Sequence, residues 1–315
     1  MLLKQNMVDI LKKIGPKEFG NMLGSKISNF VAKKIIEAKL VYSPINSKKR
    51  DEVILKIVSV LLDDSIPFSG KHRFDQWEKG WKENFDLYSK TKDDKGLVPK
   101  YYGKYDIVRV NGDFVKAVSS NFEANMISII VYFAVDKYLK NVENIFEFGC
   151  GPGHNLIKIR QINPKADIWG LDWVASSQET VKQIALKHGD KKMFAKQFDY
   201  FNPDFKFKLS PKSGILTMAS LEQTDDNYKK FIDYILKNRP KIVVNIEPMA
   251  ETLDSTHLPD YLSIEYFKKR KYLNGYVDYL KELETKGRVK IINTQRTNSG
   301  SMFVDGHSLI VWRPL

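Results

Sequence analysis

The stretch IFEFGCGPGHNLIKI, residues 145–159, decides how this 315-residue chain is read. A short apolar run reaches Glu147, passes through Gly149, Gly151 and Gly153 at alternate positions, and turns helical from about His154. A glycine loop between a strand and a helix lets the backbone approach a ligand closely, because no Cβ stands in the way. Spacing removes two ligand classes. A dinucleotide loop reads G-x-G-x-x-G, and counting from Gly149 its third glycine falls where His154 stands. A Walker loop closes on Gly-Lys-Ser/Thr, and none follows.

Outward from this loop, strand and helix signals alternate from about residue 126. A helix is expected over 124–140, strands over 144–149 and 167–172, a helix over 175–188, and strands over 192–198, 214–218 and 241–247. A helix separates the last two of these, and a long helical region over about 259–285 leads to strands 288–295 and 307–313. Seven strands, five of them separated by helices, predict a doubly wound α/β sheet. The final two strands have no helix between them and are expected to pair antiparallel. Residues 1–125 read as a mainly helical accessory or lid region, and residues 126–315 as the sheet domain. Val8–Leu11, Phe30–Leu40 and Val53–Leu62 have helical spacing. Trp77 and Trp81 share a helix face that is expected to dock on the core. Residues 91–118 read as loop and short strands around the Asn111-Gly112 turn.

With 43% hydrophobic residues the chain can bury a real core. No apolar run approaches the ~20 residues of a membrane span, and the start is too broken by charge for a secretory segment. Cys150 is the one cysteine, so an intramolecular disulfide and a cysteine-rich metal site are excluded, and a cytoplasmic setting fits. The net charge of +13 raises an anionic substrate or nucleic acid as partner, but the lysines are spread beside acids rather than gathered in a basic, aromatic-interleaved run.

The E-x-G-x-G-x-G pattern after a first strand resembles the cofactor loop of class I S-adenosylmethionine-dependent methyltransferases. Two further markers lie in order. Asp172 closes the second strand, where that resemblance implies a carboxylate for the ribose hydroxyls. Phe198-Asp199 closes the third, where it implies an acceptor for the adenine amine. The resemblance implies that Glu147 takes up the cofactor's ammonium and that Trp173 packs on adenine. Gly149, Cys150, Gly151, Gly153, Asn155 and Met218 complete the expected cofactor set, with Cys150 as a small loop residue. It also implies a Rossmann-like sheet with an antiparallel last strand. Taken one at a time, the acids could equally be helix caps or solvated turns.

The acceptor is less legible. The sequence after the fourth strand, TMASLEQTDD (217–226), lacks the Asn/Asp-Pro-Pro-aromatic of amino-methylating DNA enzymes. Glu247 and Glu251 follow the fifth strand, which is the wrong place for the paired glutamates of a protein-arginine methyltransferase. A broader similarity runs from PKYYGKYDIVRVNGDFV (99–115) to GHSLIVWRP at the end. It is to bacterial class I methyltransferases linked to surface-polysaccharide or sugar modification. That similarity implies transfer to O or N of a small polar acceptor, such as a sugar or sugar nucleotide, and the lysine excess would suit a phosphorylated one. A nucleic-acid methyltransferase and a cofactor-binding, non-catalytic subunit are the alternatives.

A hydroxyl or ammonium acceptor needs a base, and the candidates are Glu222, Glu247, His257 and His154, with Glu222 first because the fourth strand's tip faces the transferred methyl. Each has a structural alternative: a helix cap for Glu222, an ion pair for Glu247, a loop-lining role for His154 and solvent exposure for His257. Tyr101, Tyr102, Arg109, Phe122 and Glu123, just ahead of the sheet domain, are the expected substrate or lid contacts. A helical bundle fixed to one flank is the alternative to a lid.

Overall fold

The computed structural model describes residues 10–305 and 307–315. In chain order its strands are β1 (Lys12–Lys13), β2 (Val41–Pro44), β3 (Ile107–Val110), β4 (Asp113–Ala117), β5 (Asn144–Phe148), β6 (Asp167–Asp172), β7 (Met193–Gln197), β8 (Ser213–Met218), β9 (Ile242–Pro248), β10 (Val289–Gln295), β11 (Ser299–Ser301) and β12 (His307–Pro314). The helices are α1 (Pro16–Met22), α2 (Asn29–Ala38), α3 (Ser47–Leu62), α4 (Phe74–Thr91), α5 (Phe122–Ala134), α6 (His154–Ile162), α7 (Ala175–His188), α8 (Lys229–Asn238), α9 (Leu258–Arg270) and α10 (Tyr276–Thr285).

Seven strands form the main sheet in the order β10-β12-β9-β8-β5-β6-β7. The five from β9 to β7 run parallel, and β12 is antiparallel to both β9 and β10. The expected Rossmann-like sheet and its antiparallel last pair are therefore both present. Every residue of β8 is buried, as a strand covered on both faces requires, whereas the edge strand β10 after Val289 alternates exposed and half-buried positions. One face is packed by aliphatic residues that include Ile130 on α5, Ile159 on α6 and Ile184 on α7. The other carries an aromatic layer with Phe231 and Tyr234 on α8 and Tyr276 on α10. Asn245, fully buried in β9, ties this layer together. Its amide donates to Thr217 Oγ1 at 2.9 Å, and its carbonyl accepts from Tyr276 Oη at 2.8 Å and Trp312 Nε1 at 2.9 Å.

The N-terminal region is helical, as read, but it also builds a second sheet in the order β1-β2-β4-β3-β11. Its β3–β4 hairpin turns at Asn111-Gly112, both at positive φ (+53° and +82°), as a two-residue primed turn demands. The last strand, Ser299-Gly300-Ser301, comes from the far end of the chain and has no β-branched residue to announce it. Two local expectations are corrected. Ile10 and Leu11 lead into β1 rather than forming a helix, while Val8 lies outside the described residues. The long helical region near 259–285 is two helices, because Lys271 and Gly275 take positive φ between them.

Replacing Asn245 with leucine keeps the branched shape but strands the Trp312 and Tyr276 donors in an apolar layer. The expected loss is about 2–5 kcal/mol of unfolding free energy, read by urea denaturation. A loss no larger than that of an exposed-site control would show that the network contributes nothing.

Candidate functional site

The order of the parallel strands reverses at the β5/β8 boundary: the chain steps outward from β5 to β6 and β7, then returns to the other side of β5. Loops part at such a switch point, and a crevice opens at the strand ends. A cavity enclosing about 760 Å³ of space, partly open to solvent, lies there. The tips of β5, β6, β7 and β8 line it, with Trp77, Trp81, Tyr101 and Tyr102 from the N-terminal region on the opposite wall.

The glycine loop is shaped by its left-handed backbone. Gly149 has φ +69° and presses on the Ser220 side chain where a Cβ would stand. Gly151 has φ +51°, and a Cβ there would lie 3.1 Å from the Trp81 ring. Any other residue would be strained and would push these walls apart. The loop is stitched to β6: Gly149 and Cys150 N–H donate to Leu171 O at 2.7 and 3.0 Å, and Gly151 N–H donates to Asp172 Oδ2 at 2.8 Å. Gly153 caps α6. Cys150 is buried on the cavity wall, and burial pushes its thiol well above the ordinary range, so it stays protonated.

Glu147, Asp172 and Asp199 all line this one cavity. Glu147 is 1% exposed. Its Oε1 accepts from Asn155 Nδ2 at 2.8 Å, while Oε2 is buried with no donor among the described residues. Burial pushes its carboxyl up to about 8, offset only in part by Asn155 and Lys158. Burial also raises Asp172 to about 6 against the opposing N–H groups of Gly151, Val174 and Trp173. Asp199 caps its own turn, accepting from Phe201 N–H at 2.8 Å. Trp173 sits between Phe74 and Phe201, at centroid distances of 5.4 and 5.9 Å, and Phe198 and Met218 complete the apolar floor.

The four candidate bases part company. Glu222 lies just behind the cavity wall, 8% exposed, and accepts from the side chain of its wall-lining neighbour Gln223 at 3.0 Å. Burial raises it to about 7, opposed by Gln223, Arg270 and Arg73. Glu247 is fully buried and spends its carboxylate on the N–H groups of Ser220, Leu221 and Glu222 at 3.0, 3.1 and 3.2 Å. That position holds the β8 loop and does not line the cavity. His154 lines the cavity with Nδ1 unpartnered, and burial drives its pKa well down, so the ring is neutral. His257 caps α9 away from the cavity, its half-exposed ring 3.3 Å from Asp260.

Of the expected lid contacts, Tyr101 and Tyr102 line the cavity. Glu123 stands behind them, accepting from Gly103 N–H at 3.0 Å. Phe122 is in the core, and Arg109 is fully buried in β3, donating to Pro259 O at 2.6 Å and Met302 O at 3.2 Å. The stacked pair Trp77–Trp81 (5.4 Å) covers the glycine loop instead of docking on the core. Its four-residue spacing was the available signal. What that face meets depends on α4 lying across α7, where Glu78 caps the Ser176 N–H at 3.2 Å. Tyr200, Ser220, Gln223 and Thr224 also line the cavity, and no motif in the sequence marks them.

No family profile matches the chain. It is 27% identical over 120 residues to the trans-aconitate 2-methyltransferase of Shigella flexneri, a match covering 38% of this chain and 44% of that enzyme. The chain thus spans less than half the length of the curated relatives it matches. Among solved structures it is similar to the N,N-8-amino-8-demethyl-D-riboflavin dimethyltransferase of Streptomyces davawensis, with TM-score 0.44, 14% identity, and 62% of this chain and 57% of that one covered. It is also similar to the N-methyltransferase NodS of Bradyrhizobium japonicum, with TM-score 0.42, 12% identity, and 58% and 82% covered. At this level of likeness the chemistry has to be read from the cavity itself.

A carboxyl whose folded pKa lies above its unfolded value costs stability as pH rises from the unfolded pKa to the folded one, because the unfolded chain ionises first. Glu147→Gln should therefore flatten the fall in stability of the free protein between about pH 5 and pH 8. Chemical denaturation across that range reads it. Parallel curves for variant and parent would mean that Glu147 is not held protonated.

Proposed function

We propose that this chain is an S-adenosylmethionine-dependent methyltransferase acting at O or N of a small polar acceptor, with a sugar or sugar nucleotide as the expected class. One observation carries the reading: Glu147 Oε2, buried at the mouth of the glycine loop, lacks a donor. A buried acceptor without a donor costs roughly 1–3 kcal/mol, and a cofactor bearing an ammonium would supply what is missing. Asp172, on the cavity lining, offers a carboxyl to a ribose diol. Trp173 and Phe198 offer apolar surface to a base, and Asp199 an acceptor for its amine.

When bound, the cofactor supplies an electrophilic methyl on a sulfonium. The chain's own part is alignment, dryness and a proton acceptor. Trp77, Trp81, Tyr101 and Tyr102 close the cavity over the loop and keep water from competing, and alignment alone is worth ~7–11 kcal/mol of barrier. Glu222, set behind Gln223, would take the proton of an acceptor that reaches past that side chain. Raised to about 7, it is strong enough to accept a proton near neutrality and still ionised often enough to do so.

Calorimetry tests the cofactor reading without any acceptor. Binding of S-adenosylmethionine or S-adenosylhomocysteine near pH 7 should release close to one proton as the incoming ammonium ionises Glu147. Repeating the titration in buffers of different ionisation enthalpy measures this. No heat with either ligand would sink the proposal. Glu222→Gln should leave cofactor affinity intact while turnover falls at least about tenfold, and the rise of kcat through about pH 7 should vanish with it. Unchanged turnover would place the base elsewhere.

A further inference from the structure

Behind the Gln223 wall of the cavity, two guanidinium groups lie against aromatic rings, Arg73 on Trp77 and Arg270 on Tyr266 and Tyr272. Arg73, just ahead of α4, is 7% exposed. Its Nε donates to Gln76 Oε1 at 3.0 Å and its Nη1 to Gln223 Oε1 at 3.1 Å, and its Cζ lies 5.0 Å from the centre of the Trp77 ring. Arg270, the last residue of α9 and itself only partly buried, stacks on Tyr266 and Tyr272 at 5.8 and 5.4 Å, and its inward Nε has no acceptor among the described residues. Among the described residues neither arginine makes an ion pair. Burial and the charge of Arg270 both depress Arg73, so the two cations feel each other.

Guanidinium does not shed its proton in a protein, so both charges persist. Buried charges are ordinarily paired, or they hold a ligand. The carboxylates nearby do not balance this pair. Glu222 lies in the field of both arginines and is linked to Arg73 through the amide of Gln223, but it can offer at most one negative charge against two positive ones. Glu123 is engaged by the Gly103 N–H. Lys71 and Lys271, close in the chain to the two arginines, are exposed and add positive field outside. Two planar forks beside an apolar wall are the arrangement that recognises oxyanions.

We propose that Arg73 and Arg270 form an oxyanion subsite, so that the methyl acceptor carries a phosphate or carboxylate held there while its nucleophilic O or N faces Glu222. Calling that ligand the acceptor rests on the methyltransferase reading, whereas the anion site rests on the two guanidinium groups alone. Gln223 couples the parts, since it lines the cofactor cavity, accepts from Arg73 and donates to Glu222.

The test titrates the full chain, with and without saturating S-adenosylhomocysteine, using inorganic phosphate, pyrophosphate, malonate and, as a neutral control, glucose. At least one oxyanion should bind. Arg270→Met should weaken it at least about tenfold, Arg270→Lys less, and S-adenosylhomocysteine affinity, which also reports folding, should stay within about twofold. Preference for phosphate or pyrophosphate over malonate identifies a phosphorylated acceptor, and the reverse identifies a carboxylate. Binding of S-adenosylhomocysteine with no oxyanion binding to the parent protein overturns the subsite and leaves the methyltransferase reading standing. Oxyanion affinity unchanged in both Arg270→Met and Arg73→Met overturns it as well. Oxyanion binding lost in Arg270→Met, with no S-adenosylhomocysteine binding to the parent, upholds the subsite and sinks the methyltransferase reading.

Discussion

A carboxylate buried at the end of a parallel strand has to find donors nearby, and the loops of this protein are arranged to provide them. Asp172 at the tip of β6 takes the N–H of Gly151 and so fixes the glycine loop against the neighbouring strand. Glu247 near the tip of β9 takes three consecutive N–H groups and so fixes the turn after β8. Glu147 on β5 takes the amide of Asn155 and orients the first turn of α6. Each acid holds a loop that belongs to another element, which makes the rim of the sheet one connected polar network. Charge at this depth is expensive, and burial outweighs the donors at all three carboxyls.

That cost separates acids that look alike in the sequence. Glu247 satisfies its oxygens within the protein and acts as a brace. Glu147 leaves one oxygen unmatched toward the cavity, and Glu222 stands between a cavity-wall amide and two unpaired arginines. The Glu247 brace positions the other two functions. By gripping Ser220 to Glu222 it sets Ser220 Oγ against Phe148 O and Tyr200, and it holds Ala219 at φ +47°, a conformation a non-glycine residue adopts only under restraint. The same turn presents Gln223 to the cavity and Glu222 behind it.

The second sheet gives the N-terminal region a rigid attachment. Because β11 comes from between β10 and β12, the far end of the main sheet is hydrogen-bonded to the hairpin that follows Tyr101 and Tyr102. Arg109 on β3 reinforces the junction with bonds to Pro259 and Met302. Helix α4 is anchored at its other side by its own Glu78, which accepts from the Ser176 N–H of α7. The aromatic wall over the glycine loop is thus held at both ends rather than resting on the sheet.

The alternation of strands and helices, the seven-strand count and the antiparallel last pair were all legible in the sequence, because burial on both faces writes continuous apolar runs and glycine spacing follows from backbone geometry. So were Glu147, Asp172 and Asp199 as strand-end acids, since chain order along a parallel sheet places successive tips side by side. Strand β11 was not, because Ser-Gly-Ser carries no propensity and exists as a strand only by pairing with β3. Nor was the difference between Glu222 and Glu247, since accepting three backbone donors is a property of the neighbouring loop. The approach of Arg73 to Arg270 was equally hidden: two residues nearly 200 positions apart meet only when α4 and α9 close on the same wall, and no local pattern records that two cations will be brought together there.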